Sequence, residues 1–225
     1  MQGAKGLEPM RVIAIDGPAG SGKSSVAQAL AARLCLEYLD TGAMYRAVAF
    51  AVLRAGGDPS DDGFAAAVAR TVDVRMEGER VLVDGVDATV EIRGPSVDRA
   101  VSVVAANAEV RAEMVARQRD WARRRGGGVV EGRDIGTVVF PEADLKVYLV
   151  ADPEVRALRR ARQSGALDDA AGAGAVESVA AELVRRDTID STRLAGPLSV
   201  ASDAVVIDTT DKTFDETIEQ ILELV

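Results

Sequence analysis

Residues 17–25 read GPAGSGKSS, and only Asp16 separates them from the apolar run VIAI at 12–15. Within this stretch Gly17, Gly22, Lys23 and Ser24 match the pattern G-x-x-x-x-G-K-[ST] without a gap. Glycines let successive backbone N–H groups curl around an anion, and the N-terminus of the following helix adds partial positive charge. The stretch therefore predicts a loop that binds the phosphates of a nucleoside triphosphate.

Lys23 and Ser24 have separate expected roles in this loop. The ammonium group of Lys23 is expected to bridge the β- and γ-phosphates, and the hydroxyl of Ser24 to ligate Mg²⁺. The whole expected phosphate-binding set is Gly17, Pro18, Ala19, Gly20, Ser21, Gly22, Lys23, Ser24 and Ser25. The structural alternative is a glycine-rich turn without a ligand. The chain lacks an N-K-x-D segment, which disfavours a GTPase, but the loop alone does not separate kinases from motor ATPases or switches.

The order of apolar segments along the chain predicts a three-layer α/β/α fold of the P-loop NTPase type. Strands that alternate with helices form a parallel sheet that helices cover on both faces. Ligands then bind beyond the carboxyl ends of the strands, where Gly17, Asp40 and Arg133 fall. The five strands are expected at 12–16, 38–40, 129–132, 144–151 and 204–208. The main helices are expected at about 22–34, 43–55, 96–106, 109–125, 153–163, 177–187 and 213–224.

Three segments depart from this regular alternation. Residues 72–92 contain short β-rich runs with glycine turns, which predict a small antiparallel sheet inserted in the chain. Residues 165–175, GALDDAAGAGA, are rich in Gly and Ala and are expected to form a mobile loop tip. Residues 1–10 lack the apolar stretch of a secretory signal and are expected to be a disordered tail. Residues 11–225 are expected to form a single domain.

The composition argues against several classes of protein. The net charge of −9 disfavours nonspecific nucleic-acid binding, and no apolar run reaches the roughly 20 residues that span a membrane. Because the chain has no histidine, it cannot build Ser-His-Asp triads or His-based metal sites. The single cysteine, Cys35, makes no intrachain disulfide, which fits a reducing cytoplasm, and its thiol is expected to be buried on an apolar helix.

Charged residues follow two of the expected strands. In DTGAMYR, Asp40 and Thr41 can cap the next helix, and Arg46 then lies on its first turns, where a guanidinium can clamp a second phosphate. In EGRD, Arg133 and Asp134 are expected to point into the same crevice. The alternative interpretation of these two residues is a structural ion pair.

A third charged segment, RRDTIDSTR, places Arg186, Asp190 and Arg193 at positions i, i+4 and i+7. On a helix these positions share one face. Exposed pairs at this spacing are common and contribute little to stability. Beside a phosphate site, however, such arginines are expected to neutralise a transferring phosphoryl group.

Four separated segments together resemble the bacterial cytidylate kinases: IDGPAGSGKSS, YLDTGAMYR, EGRDIGTVVFPEADLKVYLVA and RRDTIDSTRLAGPL. The resemblance runs from about residue 10 to residue 225. It implies transfer of the γ-phosphate of ATP to CMP or dCMP with Mg²⁺, giving ADP and CDP or dCDP, in pyrimidine nucleotide metabolism. A cytoplasmic monomer without nucleic-acid or membrane partners is expected.

The resemblance also implies a division of the domain into three parts. A CORE at about 11–40, 96–155 and 194–225 would hold the sheet and the phosphate loop. A lobe for the nucleoside monophosphate (NMP), at about 41–95 and including the β-rich insertion, would carry the acceptor. A LID at about 156–193 would close over ATP.

The resemblance assigns residues to the acceptor nucleotide. Thr41 and Arg46 would contact it, with Arg46 on its phosphate. Ser102 and Arg111 match the cytosine-reading positions, although by themselves they would be interpreted as surface residues of helices. Asp134 would help to read the base, because a carboxylate accepts a hydrogen bond from the 4-amino group of cytosine and repels the uracil carbonyl.

The remaining assignments concern phosphate, ribose and ATP. Asp190 and Arg193 would contact the ribose, and Arg133 would hold a phosphate. Arg186 would neutralise the transferring phosphoryl group, and with Lys23 and Arg133 it completes the expected catalytic set. The arginines expected near ATP at the base of the LID are Arg156 and Arg159.

Two other hypotheses stay open at this point. Another small-molecule kinase of the same fold, acting on UMP, AMP or shikimate, would share the phosphate loop. A regulatory switch that binds a nucleotide and hydrolyses it slowly would share it too, although the arginines on the acceptor side speak against a switch. A panel of acceptors separates the kinases, and stoichiometric formation of a nucleoside diphosphate would exclude the switch.

Overall fold

The computed structural model describes residues 10–163, 165 and 172–225. The expected disordered tail lies outside the described residues except for residue 10. Most of the expected mobile loop GALDDAAGAGA also lies outside them. Within the described residues, no helix is long and apolar enough to cross a membrane.

Parallel strands form the central sheet, and a small antiparallel sheet stands beside it. In chain order the strands are β1 (Arg11–Asp16), β2 (Tyr38–Asp40), β3 (Val74–Glu77), β4 (Arg80–Val83), β5 (Val86–Asp87), β6 (Gly127–Glu131), β7 (Leu145–Val150) and β8 (Val205–Asp208). The central sheet has the order β2-β6-β1-β7-β8, and all its pairs are parallel. The expected parallel sheet of five strands is therefore confirmed.

Helices cover both faces of this sheet. They are α1 (Lys23–Leu34), α2 (Thr41–Arg54), α3 (Asp62–Thr71), α4 (Pro95–Ala106), α5 (Ala108–Arg125), α6 (Pro153–Gln163), α7 (Gly172–Thr192) and α8 (Phe214–Leu222). Local chemistry fixes several helix starts. The Asp40 carboxylate accepts a hydrogen bond from the Ala43 amide at 2.9 Å and caps α2, and Asn107 caps α5 in the same way.

The central strand β1 divides the core into two layers. Val12 and Ala14 belong to a cluster with buried residues of α2, α4 and α5, whereas Ile13 and Ile15 belong to a cluster with α1 and α8. Because successive side chains of a strand point to opposite faces, the apolar residues 12–15 of β1 can be buried on both sides. The loops at the carboxyl end of this strand are therefore held on a rigid base.

The inserted sheet pairs in the order β3-β4-β5 and is antiparallel, as expected. It is shorter than the predicted 72–92, because residues 88–92 do not continue the last strand. The carboxylate of Asp87 accepts hydrogen bonds from the amide and hydroxyl of Thr89, which bends the chain away from the ladder. A 3₁₀ turn at Glu91–Arg93 follows and buries Ile92.

Two further expectations are corrected. Cys35 is exposed rather than buried, because it ends α1 in the left-handed conformation, with φ at 53°, and its amide bonds the last carbonyls of that helix. Helix α7 is longer than the expected 177–187. It begins at Gly172 and so takes in residues 172–175, which the sequence predicts as part of the loop.

Candidate active site

Two adjacent cavities open at the carboxyl ends of β1, β2 and β6. One, here called the arginine cavity, is lined by the phosphate loop, α2, α4, α6, α7 and the end of β6. The other, here called the loop cavity, is lined by residues 20–26, α6 and residues 209–217. Lys23, Ser24, Arg160 and Gln163 line both, so the two cavities form one cleft. The cleft lies where the sequence predicts ligands to bind.

The phosphate loop has the backbone that its glycines permit. Gly22 has φ at 92° and stands immediately before α1, and Gly20 has φ at 76°. A Cβ on Gly20 would lie 2.7 Å from the carbonyl oxygen of Arg156, so only glycine fits there. The loop and the N-terminus of α1 thus form a cradle that suits an anion.

Lys23 lies across this loop. Its ammonium group donates a hydrogen bond to the carbonyl oxygen of Pro18 at 2.6 Å. Burial lowers the pKa of Lys23, and the nearby positive charge of Arg133 lowers it further. Glu131, Asp16 and Asp187 act in the opposite direction and raise this pKa. A phosphate group in the cradle would add a further negative charge beside the ammonium group.

Glu131, at the end of β6, contacts the phosphate loop. Its carboxylate accepts hydrogen bonds from the Ser24 hydroxyl at 2.9 Å and from the Tyr38 hydroxyl. Burial raises the pKa of Glu131, and the neighbouring Asp40 raises it further. Glu131 belongs to the motif EGRD, but the sequence analysis assigns it no role in the site. Its position at the end of a buried strand could have indicated such a role.

The donor set around Ser24 fits a magnesium ion. A hydroxyl and a carboxylate are hard oxygen ligands, and Mg²⁺ at phosphate sites commonly takes one or two protein oxygens and completes its shell with water and phosphate. Within the described residues, no cluster of three or more Asp, Glu, Cys or His side chains could hold a metal. Ser24 and Glu131, whose side chains are 2.9 Å apart, could hold such an ion.

The arginine cavity gathers guanidinium groups from three helices. Arg46 on α2 and Arg186 on α7 line it, as predicted, and Arg160 on α6 joins them without having been predicted. Burial, followed by repulsion from Arg46, lowers the pKa of Arg186 to about 10. The carboxylate of Asp98 on α4 is within 3.6 Å of all three guanidinium groups.

Arg133 is fixed between the phosphate loop and α7. Its Nε donates to Asp190 at 2.8 Å, and its Nη1 donates to the carbonyl oxygen of Gly17 at 2.7 Å. Asp190 also lies 3.5 Å from Arg193. The predicted Arg186, Asp190 and Arg193 face is thus present, and all three side chains are largely buried in the cleft wall.

Asp134 is one of the buried carboxylates that line the arginine cavity. It accepts hydrogen bonds from Arg111 and, at 3.4 Å, from Arg193. Burial raises the pKa of Asp134, although both arginines act to lower it. Arg111 is not among the residues that line the cavity; it stands behind Asp134 and over the ring of Tyr45.

Thr41 and Ser102 both line the arginine cavity. The Thr41 hydroxyl donates to the carbonyl oxygen of Glu131 at 2.6 Å. Ser102 is buried on α4 and is therefore not the surface residue that its sequence context suggests. The same holds for Arg111, which is 3% exposed, because α4 and α5 pack against α2.

Arg156 and Arg159 stand at the base of α6. Arg156 donates to the carbonyl oxygen of Ala19 at 3.1 Å and pairs with Asp187, but it lines neither cavity. Arg159 lines the loop cavity and donates to the hydroxyl and carbonyl oxygens of Thr209 at 2.9 and 2.7 Å. Arg159 is therefore placed beside the phosphate loop, and Arg156 braces that loop from behind.

Asp16 was not predicted as part of the site, yet it holds the segment that carries Asp134. Its two carboxylate oxygens accept hydrogen bonds from the amides of Ile135 and Gly136 at 2.8 and 2.7 Å. Burial raises the pKa of Asp16 to about 6. It follows directly after the apolar run of β1, so its position at a strand end was a signal that the sequence offered.

Comparison with known proteins agrees with this geometry. The family model for cytidylate kinase matches residues 13–225. The chain is 51% identical over 221 residues to the cytidylate kinase of Mycobacterium avium (strain 104), covering 95% of this chain and 94% of that protein. It is 48% identical over 221 residues to the cytidylate kinase of Nocardia farcinica, covering 95% and 93%.

More distant proteins also match. The cytidylate kinase of Caldanaerobacter subterraneus subsp. tengcongensis is 45% identical over 213 residues, covering 95% of this chain and 93% of that protein. The solved structure of an uncharacterized protein from Eubacterium ventriosum superposes with a TM-score of 0.51 at 13% identity, covering 95% of this chain and 97% of that one. This similarity concerns the fold alone. The family match and the three relatives show that the chain belongs to the cytidylate kinase family.

Proposed function

We propose that the chain transfers the γ-phosphoryl group of ATP to CMP or dCMP, giving ADP and CDP or dCDP, and that the cleft divides this work between its two cavities. Membership of the cytidylate kinase family supports ATP as the donor and CMP as the acceptor. One observation supports this division of the cleft. Lys23 and Ser24 line both cavities, so the transferring group would lie where the two cavities meet.

The loop cavity would hold ATP. The cradle at residues 17–25 binds its phosphates, and Lys23 bridges the β- and γ-phosphates. Ser24 and Glu131 would hold Mg²⁺, which supplies charge neutralisation and orients the phosphates when it is bound. Arg159 stands at the wall of the same cavity and is proposed to contact ATP, whereas Arg156 positions the loop through Ala19.

The arginine cavity would hold the acceptor. Arg46 and Arg133 bind its phosphate, and Arg186 neutralises charge on the transferring group. The acceptor phosphate is already ionised at neutral pH, so the reaction needs no strong general base, which fits a chain without histidine. Catalysis here consists mainly of positioning and charge neutralisation.

The base of the acceptor would lie against Asp134. A carboxylate accepts a hydrogen bond from the 4-amino group of cytosine and repels the carbonyl oxygen at that place in uracil. Ser102 and Thr41 on the walls provide hydroxyl partners, and Arg111 positions Asp134. Asp190 and Arg193 are proposed to contact the ribose, since both line the same cavity.

Closure of the domain would complete the site. The proposed LID (156–193) contributes Arg160 and Arg186, the NMP lobe (41–95) contributes Arg46, and the CORE supplies the phosphate loop. CMP and ATP together would draw these parts inward and exclude water, the competing acceptor. X-ray scattering with a bisubstrate analogue should show compaction; an unchanged radius of gyration would refute closure. We propose that the chain acts as a cytoplasmic monomer without a nucleic-acid partner.

Product identification tests the proposed reaction. ATP, Mg²⁺ and CMP incubated with the protein should give ADP and CDP in equal amounts by anion-exchange chromatography. ADP with free phosphate and no CDP would instead identify a hydrolase and reject the kinase.

A further inference from the structure

The carboxylate of Asp98 is a meeting point for three arginines. Asp98 lies in the first turn of α4. Its Oδ1 is 2.5 Å from Nη2 of Arg46, and both its oxygens are 3.3 Å from Nη2 of Arg160. Nη1 of Arg186 lies 3.6 Å from Oδ1. One negative charge therefore contacts guanidinium groups that come from α2, α6 and α7.

These three arginines line the cavity in which the proposed function places the acceptor phosphate. Guanidinium groups bind carboxylates and phosphates through the same N–H donors and with the same planar geometry. A donor that points at Asp98 cannot at the same time point at a phosphate oxygen elsewhere. Asp98 and a phosphate group therefore compete for the same guanidinium N–H donors.

The surroundings strengthen this competition. The side chains of Asp98 and Arg46 are 16% and 11% exposed, so water and salt screen their attraction weakly. Arg46 and Arg133 repel Arg186, and this repulsion helps to lower the pKa of Arg186, whereas Asp98 raises it. The negative charge of Asp98 offsets part of the repulsion between these arginines, so that they can lie close together.

We propose that Asp98 is a positioning residue that holds Arg46, Arg160 and Arg186 together and competes with the acceptor phosphate for Arg46 and Arg160. The competition sets how tightly the site binds that phosphate. The inference rests on the proposed function, because it takes the arginine cavity as the acceptor site. Asp98 would lower the affinity for the phosphate of CMP and leave the affinity for its nucleoside part unchanged.

Binding of CMP and of cytidine to the Asp98→Asn variant tests this inference. Asparagine keeps the shape and one hydrogen-bond acceptor but removes the charge. Isothermal titration calorimetry should show CMP bound about 3- to 10-fold more tightly than by the original protein, as expected when one charge interaction is lost. Cytidine, which lacks the phosphate, should bind as before within twofold.

A matched control removes a charge without touching the arginines. Glu91→Gln changes an exposed carboxylate seven residues before Asp98 and should leave the affinities for both ligands unchanged. Asp98→Ser provides a second variant if Asp98→Asn does not fold, as judged by thermal unfolding. A ratio of CMP to cytidine affinity that stays within twofold of the original, or falls, would overturn the inference.

The proposed function is tested separately by the unchanged protein. If that protein forms CDP from CMP while the affinity ratio of the variant does not rise, only the role of Asp98 fails. If the unchanged protein forms no CDP, the proposed function fails first.

Discussion

The guanidinium of Arg111 donates a hydrogen bond to the carboxylate of Asp134, and the two side chains are only 4% and 5% exposed. Arg193 contacts the other carboxylate oxygen at 3.4 Å. The ring of Tyr45 lies 5.6 Å from the guanidinium carbon of Arg111. Two buried cations and one aromatic ring thus hold Asp134 in one orientation at the wall of the arginine cavity.

The Asp134→Asn substitution should reduce both activity and selectivity. The amide no longer repels the uracil carbonyl, and Arg111 is left without its buried counter-charge. We expect kcat/KM for CMP to fall at least about tenfold, or about 1.4 kcal/mol, and the gap between CMP and UMP to narrow. Steady-state kinetics with both acceptors measures this. Asp120→Asn, on the outer face of α5, is the control. If the ratio of kcat/KM for CMP to that for UMP is unchanged in Asp134→Asn, Asp134 does not recognise the base.

Gly196 is expected to protect the same pair by lacking a side chain. A Cβ there would collide with Nη2 of Arg111 and Oδ2 of Asp134, and its φ is 58°. Gly196→Ala should therefore raise KM for CMP several-fold, with KM for ATP unchanged. Gly85→Ala is a matched control, because Gly85 has φ at 76° and open space around it. This substitution should lower the free energy of unfolding by only about 1 kcal/mol, through backbone strain alone. Equal kinetic effects of the two substitutions would show that strain alone is responsible.

Arg186→Ala should affect the chemical step more than binding. Removing one positive group that neutralises the transferring phosphoryl typically lowers kcat by about 10²- to 10³-fold. We expect that loss with a much smaller change in KM for CMP. Arg185→Ala, the exposed neighbour on α7, should retain normal kcat. A loss confined to KM would assign Arg186 to ground-state binding instead.

Asp16 should make stability depend on pH. Burial raises its pKa to about 6 in the folded protein, from an ordinary value near 3.8, so the folded state binds the proton more tightly than the unfolded state. The stabilisation from this group is therefore full below about pH 4 and is lost as the pH rises through 6. Between pH 4 and 7 the free energy of unfolding of the original protein should fall relative to that of Asp16→Asn, by at most about 3 kcal/mol.

Urea unfolding at several pH values in this range measures that difference. A constant gap between the two proteins across the range would show that Asp16 does not titrate as its burial requires. Asparagine retains one acceptor for the amides of Ile135 and Gly136, so the variant is expected to fold.

The phosphate loop and the strand-end residues could be predicted because their signals are local. The pattern around Lys23 defines both the turn and the anion cradle. Arg46 and Asp134 follow strands, and the carboxyl ends of parallel strands meet at one edge of the sheet. For these residues, knowledge of the strand order added little.

Other features depend on tertiary packing that no local pattern encodes. Asp98 acquires its partners only because α4 lies against α2, α6 and α7, which are distant in the sequence. Ser102 and Arg111 have the sequence context of surface residues, and only the family resemblance predicted roles for them. The expected burial of Cys35 is wrong for a related reason. Helical periodicity does not indicate at which residue the helix ends in the left-handed conformation.

Acceptor-dependent ADP release is the measurement that tests the central claim most directly. A coupled assay with ATP and Mg²⁺ would compare CMP, dCMP, UMP, AMP and no acceptor. We expect rapid turnover with CMP and dCMP, and little with UMP, because the 4-amino group of cytosine is the feature that Asp134 is proposed to read. ADP release that is the same with and without every acceptor would contradict the account and leave only a nucleotide-binding loop.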